Sequence, residues 1–209
     1  MSDLYKTIIA PGEAQIREKM SRFIAFAVPV QSADQAKALI KEYTNKYHDA
    51  RHLCWAYMVG PQRDTWQLSD NGEPSGTAGK PILGQINSFE LTDILIMVVR
   101  YFGGIKLGTS GLIAAYRQAA REAIEATTIE ERHEQCTLTV RFPYLGMNSV
   151  MKILKKSDAQ ILDQQFDNSC SITLRIRRDH LQGLRDQLRK EVDGLSLPDD
   201  DEQTATPDC

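Results

Sequence analysis

The chain has 209 residues and a formal net charge of −3, from 25 Lys and Arg against 28 Asp and Glu, which excludes a strongly basic protein that coats nucleic acid. Hydrophobic residues make up 42% of it, enough for one large or two small cores, yet no stretch approaches the roughly 20 continuous apolar residues of a membrane span. Met1-Ser2-Asp3-Leu4-Tyr5-Lys6 carries no basic region followed by an apolar run, and Cys54, Cys136, Cys170 and Cys209 form no C-x-x-C pair, so reduced thiols in a cytoplasmic protein are expected.

In chain order, Tyr5–Ile9, Ala14–Glu18 and Arg22–Val30 read as strands, the third apolar on both faces and therefore interior to its sheet. Ser32 with Gln35 forms a capping box, opening a helix whose stripe is Ala36, Leu39, Ile40, Tyr43 and Tyr47. Leu53–Val59 and Trp66–Leu68 follow as strands, then a short helix from about Pro81 to Ile86. Asp93–Arg100 is apolar from Ile94 to Val99 without a break, the mark of a strand covered on both faces. A long helix to about Ala126 presents the small face Leu112, Ala115, Tyr116, Ala119 and Ala123.

The pattern then restarts. Cys136, Leu138, Val140 and Phe142 alternate with polar residues, as do Cys170, Ile172, Leu174 and Ile176. Between them lie a helical stripe (Met147, Val150, Met151, Leu154), a strand over Ile161–Phe166 and an Asp167-Asn168 turn. Asp179 is placed as the cap of a last helix that buries Leu181, Leu184, Leu188 and Val192. The order β-α-β-β-α reads as a ferredoxin-like sandwich, with Leu195–Leu197 as a candidate final edge strand. The expected division is a first domain over 1–132, a second over 133–198, and an acidic, disordered tail over 199–209, with the boundary in Glu130-Glu131-Arg132-His133.

Two glycine-rich segments depart from plain fold-making. Asp70-Asn71-Gly72-Glu73-Pro74-Ser75-Gly76-Thr77-Ala78-Gly79-Lys80-Pro81 and Tyr101-Phe102-Gly103-Gly104-Ile105-Lys106-Leu107-Gly108-Thr109-Ser110-Gly111 hold seven of the 13 glycines. Each leads into a helix N-terminus, where free N–H groups favour an anion, and Lys80, Arg100 and Lys106 are the cations at hand. The candidate binding set is Gly72, Glu73, Ser75, Gly76, Thr77, Gly79 and Lys80 in the first segment. In the second it is Arg100, Tyr101, Gly103, Gly104, Lys106 and Gly108. The competing reading is that both segments are tight strand–helix turns.

Specific nucleotide fingerprints fail. Gly79-Lys80 is followed by Pro81, with Pro74 where a P-loop needs glycine, and no G-x-G-x-x-G occurs. His52 and Cys54 share a strand face but lack a second ligand pair, so no metal or cofactor is expected. Asp70 and Glu73 are a conceivable acid–base pair, equally explained by turn and helix capping. In the second domain the outward positions Arg141, Ser171, Thr173, Arg175 and Arg177 include no ring for base stacking.

Asn71 through Leu83, Val98 through Gly108 with Gly111-Leu112 and Ala115-Tyr116, Ser21-Arg22-Phe23-Ile24-Ala25, and His52-x-Cys54-x-Ala56-Tyr57 together resemble the IMPACT family in its bacterial YigZ-like branch. Ser110 stands where relatives often carry Gly. The resemblance implies an α+β fold, with a first domain like domain two of ribosomal protein S five. It implies a second, ferredoxin-like domain similar to the C-terminal domain of elongation factor G. Eukaryotic members regulate translation under stress by binding the activator of an initiation-factor kinase, and they carry an additional N-terminal interaction domain. This chain starts at the shared module, so that mechanism is not carried over. The implied role is a non-enzymatic protein contacting RNA, the ribosome or a translation factor. The alternative is an enzyme acting on a phosphorylated or anionic small molecule. Partner identity and oligomeric state are not encoded in any motif.

Overall fold

A computed structural model describes residues 3–167 and 169–198; the expected acidic tail and Asn168 of the expected turn lie outside them. The fold is α+β, and the chain divides into two compact units, 5–132 and 133–198, the latter joined by residues 3 and 4. No helix among the described residues is long and apolar enough to cross a membrane.

In the first unit, β1 (Leu4–Ile8), β2 (Gly12–Glu18) and β3 (Ser21–Pro29) precede α1 (Ala33–Lys46). Next come β4 (His52–Val59), β5 (Thr65–Ser69), α2 (Gly79–Ser88), β6 (Ile94–Tyr101), α3 (Gly108–Glu125) and β7 (Ile129–His133). Five strands form one sheet in the order β2-β3-β6-β4-β5, each antiparallel to its neighbour. The central β6 explains its own uninterrupted apolar run. Ile94, Ile96 and Val98 point into the core beneath α2 and α3, while Leu95, Met97 and Val99 point into the core beneath α1.

Ser32 caps α1 by accepting from the Gln35 N–H at 3.1 Å, and the Gln35 side chain accepts in turn from the Gln31 N–H at 2.7 Å. The charged stretch expected to hold the domain boundary forms β7, which pairs with β1, and the division between the two units falls within it, between Arg132 and His133. Its sequence alternates poorly because both faces are half-solvated, and partnership with β1 supplies the order.

The second unit contains β8 (Gln135–Phe142), α4 (Met147–Leu154), β9 (Gln160–Phe166), β10 (Cys170–Arg177) and α5 (Arg178–Glu191). The strand order is β8-β10-β9, all antiparallel. Ser196, within the candidate final edge strand, makes a single antiparallel bridge to Arg141 at the free edge of β8. That completes the four-place order of a β-α-β-β-α-β sandwich. Arg177, not Asp179, occupies the cap position of α5; Asp179 lies in the first turn and accepts from the Arg177 guanidinium at 2.9 Å. Asp3 is tied to this unit through His133 at 3.0 Å and the Glu134 N–H at 2.6 Å.

Candidate functional site: two glycine segments at one end of a sheet

β5 and β6 both run antiparallel to β4, so they run parallel to each other. The first glycine segment leaves β5 after Ser69 and the second leaves β6 after Tyr101; β4 meets both strands near its start, through Trp55↔Ser69 and His52↔Arg100. The two segments therefore emerge at the same end of the sheet.

The first segment is wound around two carboxylates. Asp70 Oδ2 accepts from the Gly76 N–H at 2.8 Å, and Oδ1 accepts from the N–H groups of Ala78 and Gly79 at 3.0 and 2.8 Å. Asp70 thus supplies from within the chain the anion that the N-terminus of α2 attracts. Partial burial opposes its charge, but the bonds from Gly76, Gly79 and Ala78 outweigh that, and the carboxyl titrates below its ordinary value. Thr77 is buried, its hydroxyl donating to the Pro74 carbonyl at 2.6 Å. Gly79 lies close against Ser69 and Leu68, Gly72 beside the His52 ring, while Ser75 and Lys80 are exposed.

Glu73 reaches under the loop into the core face shared by β3, β4 and β6. Its Oε1 accepts from Arg100 Nη1 at 2.6 Å and from the Tyr116 hydroxyl at 2.8 Å. The Cys54 thiol lies 3.4 Å from the Tyr116 hydroxyl and 2.9 Å from the Asp70 carbonyl. His52 Nδ1 lies 2.9 Å from the Asn71 carbonyl, and its Nε2 is 4.0 Å from Glu73. Arg100 also reaches Ser21 Oγ at 3.4 Å and lies 5.5 Å from the ring centres of Phe23 and Phe102.

This geometry revises part of the expected binding set. Arg100 and Glu73 are 6% and 3% exposed at their side chains, so Arg100 is not a surface cation; it braces the loop from below. Asp70 and Glu73 do not form an acid–base pair, because one is spent on backbone N–H groups and the other on Arg100 and Tyr116. Burial, with the charges of Glu73 and Asp70 nearby, pushes the Cys54 thiol up to about 12 despite its bond to Tyr116, which removes it as a thiolate nucleophile. Burial likewise pushes the Tyr116 phenol upward. Tyr116 was the participant hardest to foresee, because it reads as one more member of a packing stripe.

The second segment is open. Tyr101 is half-buried, donating to Asp49 at 2.9 Å beneath the Arg22 guanidinium at 4.5 Å. Gly103 passes hard against the Met20 backbone, while Gly104 and Gly108 have positive φ and open space around them. Lys106 is exposed. Leu107, at the cap position of α3, makes no side-chain cap, and the first turn holds no acidic residue. Phe102 and Ile105 stand 41% and 49% exposed.

The fold and this end of the sheet define a class: a two-unit α+β protein presenting paired glycine loops over a buried Glu–Arg–Tyr cluster. The model of the Impact N-terminal domain matches residues 19–124, which span both loops and the cluster. The chain belongs to the IMPACT family. It is 33% identical over 191 residues to an IMPACT family member of Haemophilus influenzae, covering 89% of this chain and 93% of that one. It is 35% identical over 150 residues to IMPACT family member YigZ of Escherichia coli, covering 71% and 74%. Protein IMPACT of Xenopus laevis is 31% identical over 135 residues, covering 61% of this chain and 42% of that one. A solved structure titled as the crystal structure of an hypothetical protein matches with a TM-score of 0.71 and 28% identity, covering 94% and 97%.

Proposed function

We propose that the chain is a non-enzymatic, cytoplasmic binding protein linked to translation, contacting RNA, the ribosome or a translation factor through the surface made by its two glycine segments. The observation that carries this reading is the contrast at the α3 N-terminus: uncapped N–H groups, no acid in the first turn, and exposed Lys106 directly before it. Exposed Lys80, at the start of α2, adds positive charge at the same end of the sheet. Phe102, Ile105 and the exposed Met20 supply apolar contact, which suits a macromolecule better than a small anion. Kinship with Protein IMPACT supports the link to translation. Gly104 and Gly108, with open space around them, then serve close approach of a partner to backbone. Within the proposed set, Lys80, Lys106, Gly104 and Gly108 face the partner, while Glu73, Thr77, Gly79, Arg100 and Gly103 hold the surface in shape.

The test is binding of RNA and of ribosomes across a salt series. Lys106→Ala should weaken binding and reduce the steepness of the salt dependence by roughly one phosphate contact, with the melting temperature unchanged. Wild-type affinity and salt slope in folded Lys106→Ala would reduce the second segment to a turn.

A further inference from the structure

Helices α2 and α3 pack against each other and leave an open trough on their outer side. Lys80, Gly84 and Ser88 recur every four residues along one wall, and Ile113, Arg117 and Arg121 along the other. Two cavities of about 450 and 580 Å³ lie there, and both are lined by Gln85, Ser88 and Arg117, so they are parts of one feature. At 1.5 Å per residue each row spans about 12 Å. The lining carries three cations and no carboxylate. Arg121 is held by Glu125 at the rim at 2.7 Å, and Lys80 also lies near the engaged Asp70, which leaves Arg117 as the least compensated of the three.

The α2 wall supplies an independent observation. Gly84 lies inside α2, with no positive φ and nothing within 4 Å of where a Cβ would stand. Neither backbone geometry nor close packing requires glycine there, and glycine is among the poorest helix formers. Its effect is to keep the trough empty. Gly183 of α5 is similarly free of neighbours, but its cavity is lined by Asp158 and Asp179 around His180, a mixed-charge setting without a comparable preference.

We propose that this trough binds the phosphate backbone of single-stranded RNA, a proposal that rests on the RNA arm of the function proposed above and extends it to the α2–α3 face. An open channel of this length fits a chain better than an enclosed metabolite. Gln85 provides an amide donor for phosphate and sugar oxygens, whereas the Ser88 hydroxyl donates to the Gly84 carbonyl at 2.8 Å and the Gln118 amide to Glu122 at 2.9 Å. The one aromatic in the lining, Phe89, is packed on the core, so bases find no stacking platform and recognition tolerates any sequence.

The experiment is fluorescence anisotropy of labelled oligouridine, with labelled oligoglutamate in parallel, over a salt series. Arg117→Ala should weaken oligouridine binding and lower the salt slope by about 0.7. Gly84→Glu, which places a carboxylate in the trough, should weaken it by about tenfold or more. Gly84→Ala should raise the melting temperature, confirming that the site tolerates a side chain and that lost binding is not lost folding. Unchanged oligouridine affinity in folded Arg117→Ala and Gly84→Glu overturns the trough; if Lys106→Ala still weakens binding, the glycine-loop reading survives. The reverse pattern leaves the trough standing and removes the loop surface. Wild type that takes oligoglutamate but not oligouridine, or neither, also overturns the trough, while ribosome binding then decides the broader reading.

Discussion

In the first glycine segment Asp70 and Glu73 turn inward and consume the N–H groups and the arginine that an outside anion would have used. In the second, the N–H groups at the start of α3 have no side-chain cap and the first turn holds no acidic residue. Both segments are rich in glycine and both precede a helix. The difference is a pair of acids placed upstream of one helix and absent from the other. Glycine density therefore marks two jobs: in the first segment it lets the chain wrap its own carboxylates, and in the second it clears space at a surface.

The largest way to break this comparison is at Glu73. Removing its carboxylate in Glu73→Ala leaves Arg100 buried without its charge partner and Tyr116 without its acceptor, and should cost about 3–5 kcal/mol in urea unfolding. Loss below 1 kcal/mol, about the value of an exposed pair, would mean that the cluster is not sealed and that the first segment is as open as the second.

Within the second segment, Gly103 and Gly104 should separate cleanly. A Cβ on Gly103 would fall 1.9 Å from the Met20 carbonyl oxygen, so Gly103→Ala should destabilise by about 3 kcal/mol through forced backbone movement. Gly104 has φ +89 with open surroundings, so Gly104→Ala should cost only about 1–2 kcal/mol of backbone strain. Equal effects in chemical denaturation would deny that one glycine serves packing and its neighbour serves conformation.

The smallest effect concerns pH. Asp70 has its folded pKa held below the ordinary value by the Gly76, Gly79 and Ala78 N–H groups, against the opposing effect of burial. Its contribution is present above the unfolded value, about 3.9, and is lost as pH falls through the lower folded value. Urea midpoints of wild type should therefore decline more steeply below about pH 4 than those of Asp70→Asn. Parallel acid profiles for the two would remove Asp70 as the anion of the α2 N-terminus.

Much was legible without the fold because the signals are local. The capping box at Ser32, the uninterrupted run from Ile94 to Val99 and the alternation from Cys136 to Phe142 each fix an element through periodicity over a few residues. β7 escaped notice because Glu130, Glu131 and Arg132 carry no period; only pairing with β1 orders them. The expected Asp179 cap failed by two positions: α5 starts at Arg178 with Arg177 at the cap position, and Asp179 falls in the first turn, where it accepts from the Arg177 guanidinium.

The sequence by itself determined the α+β class, the two restarting patterns of elements, the position of both glycine segments and the family resemblance, since each is written in neighbouring residues. Only the tertiary structure decided which charges face solvent. Arg100 and Glu73 lie 27 residues apart in sequence and Tyr116 lies 43 from Glu73, so nothing local distinguishes them from Lys80 or Lys106. Their burial follows from strand order: β6 at the sheet centre points Arg100 toward the face that α3 covers, and a charge on that face is stable only with a partner delivered by the loop.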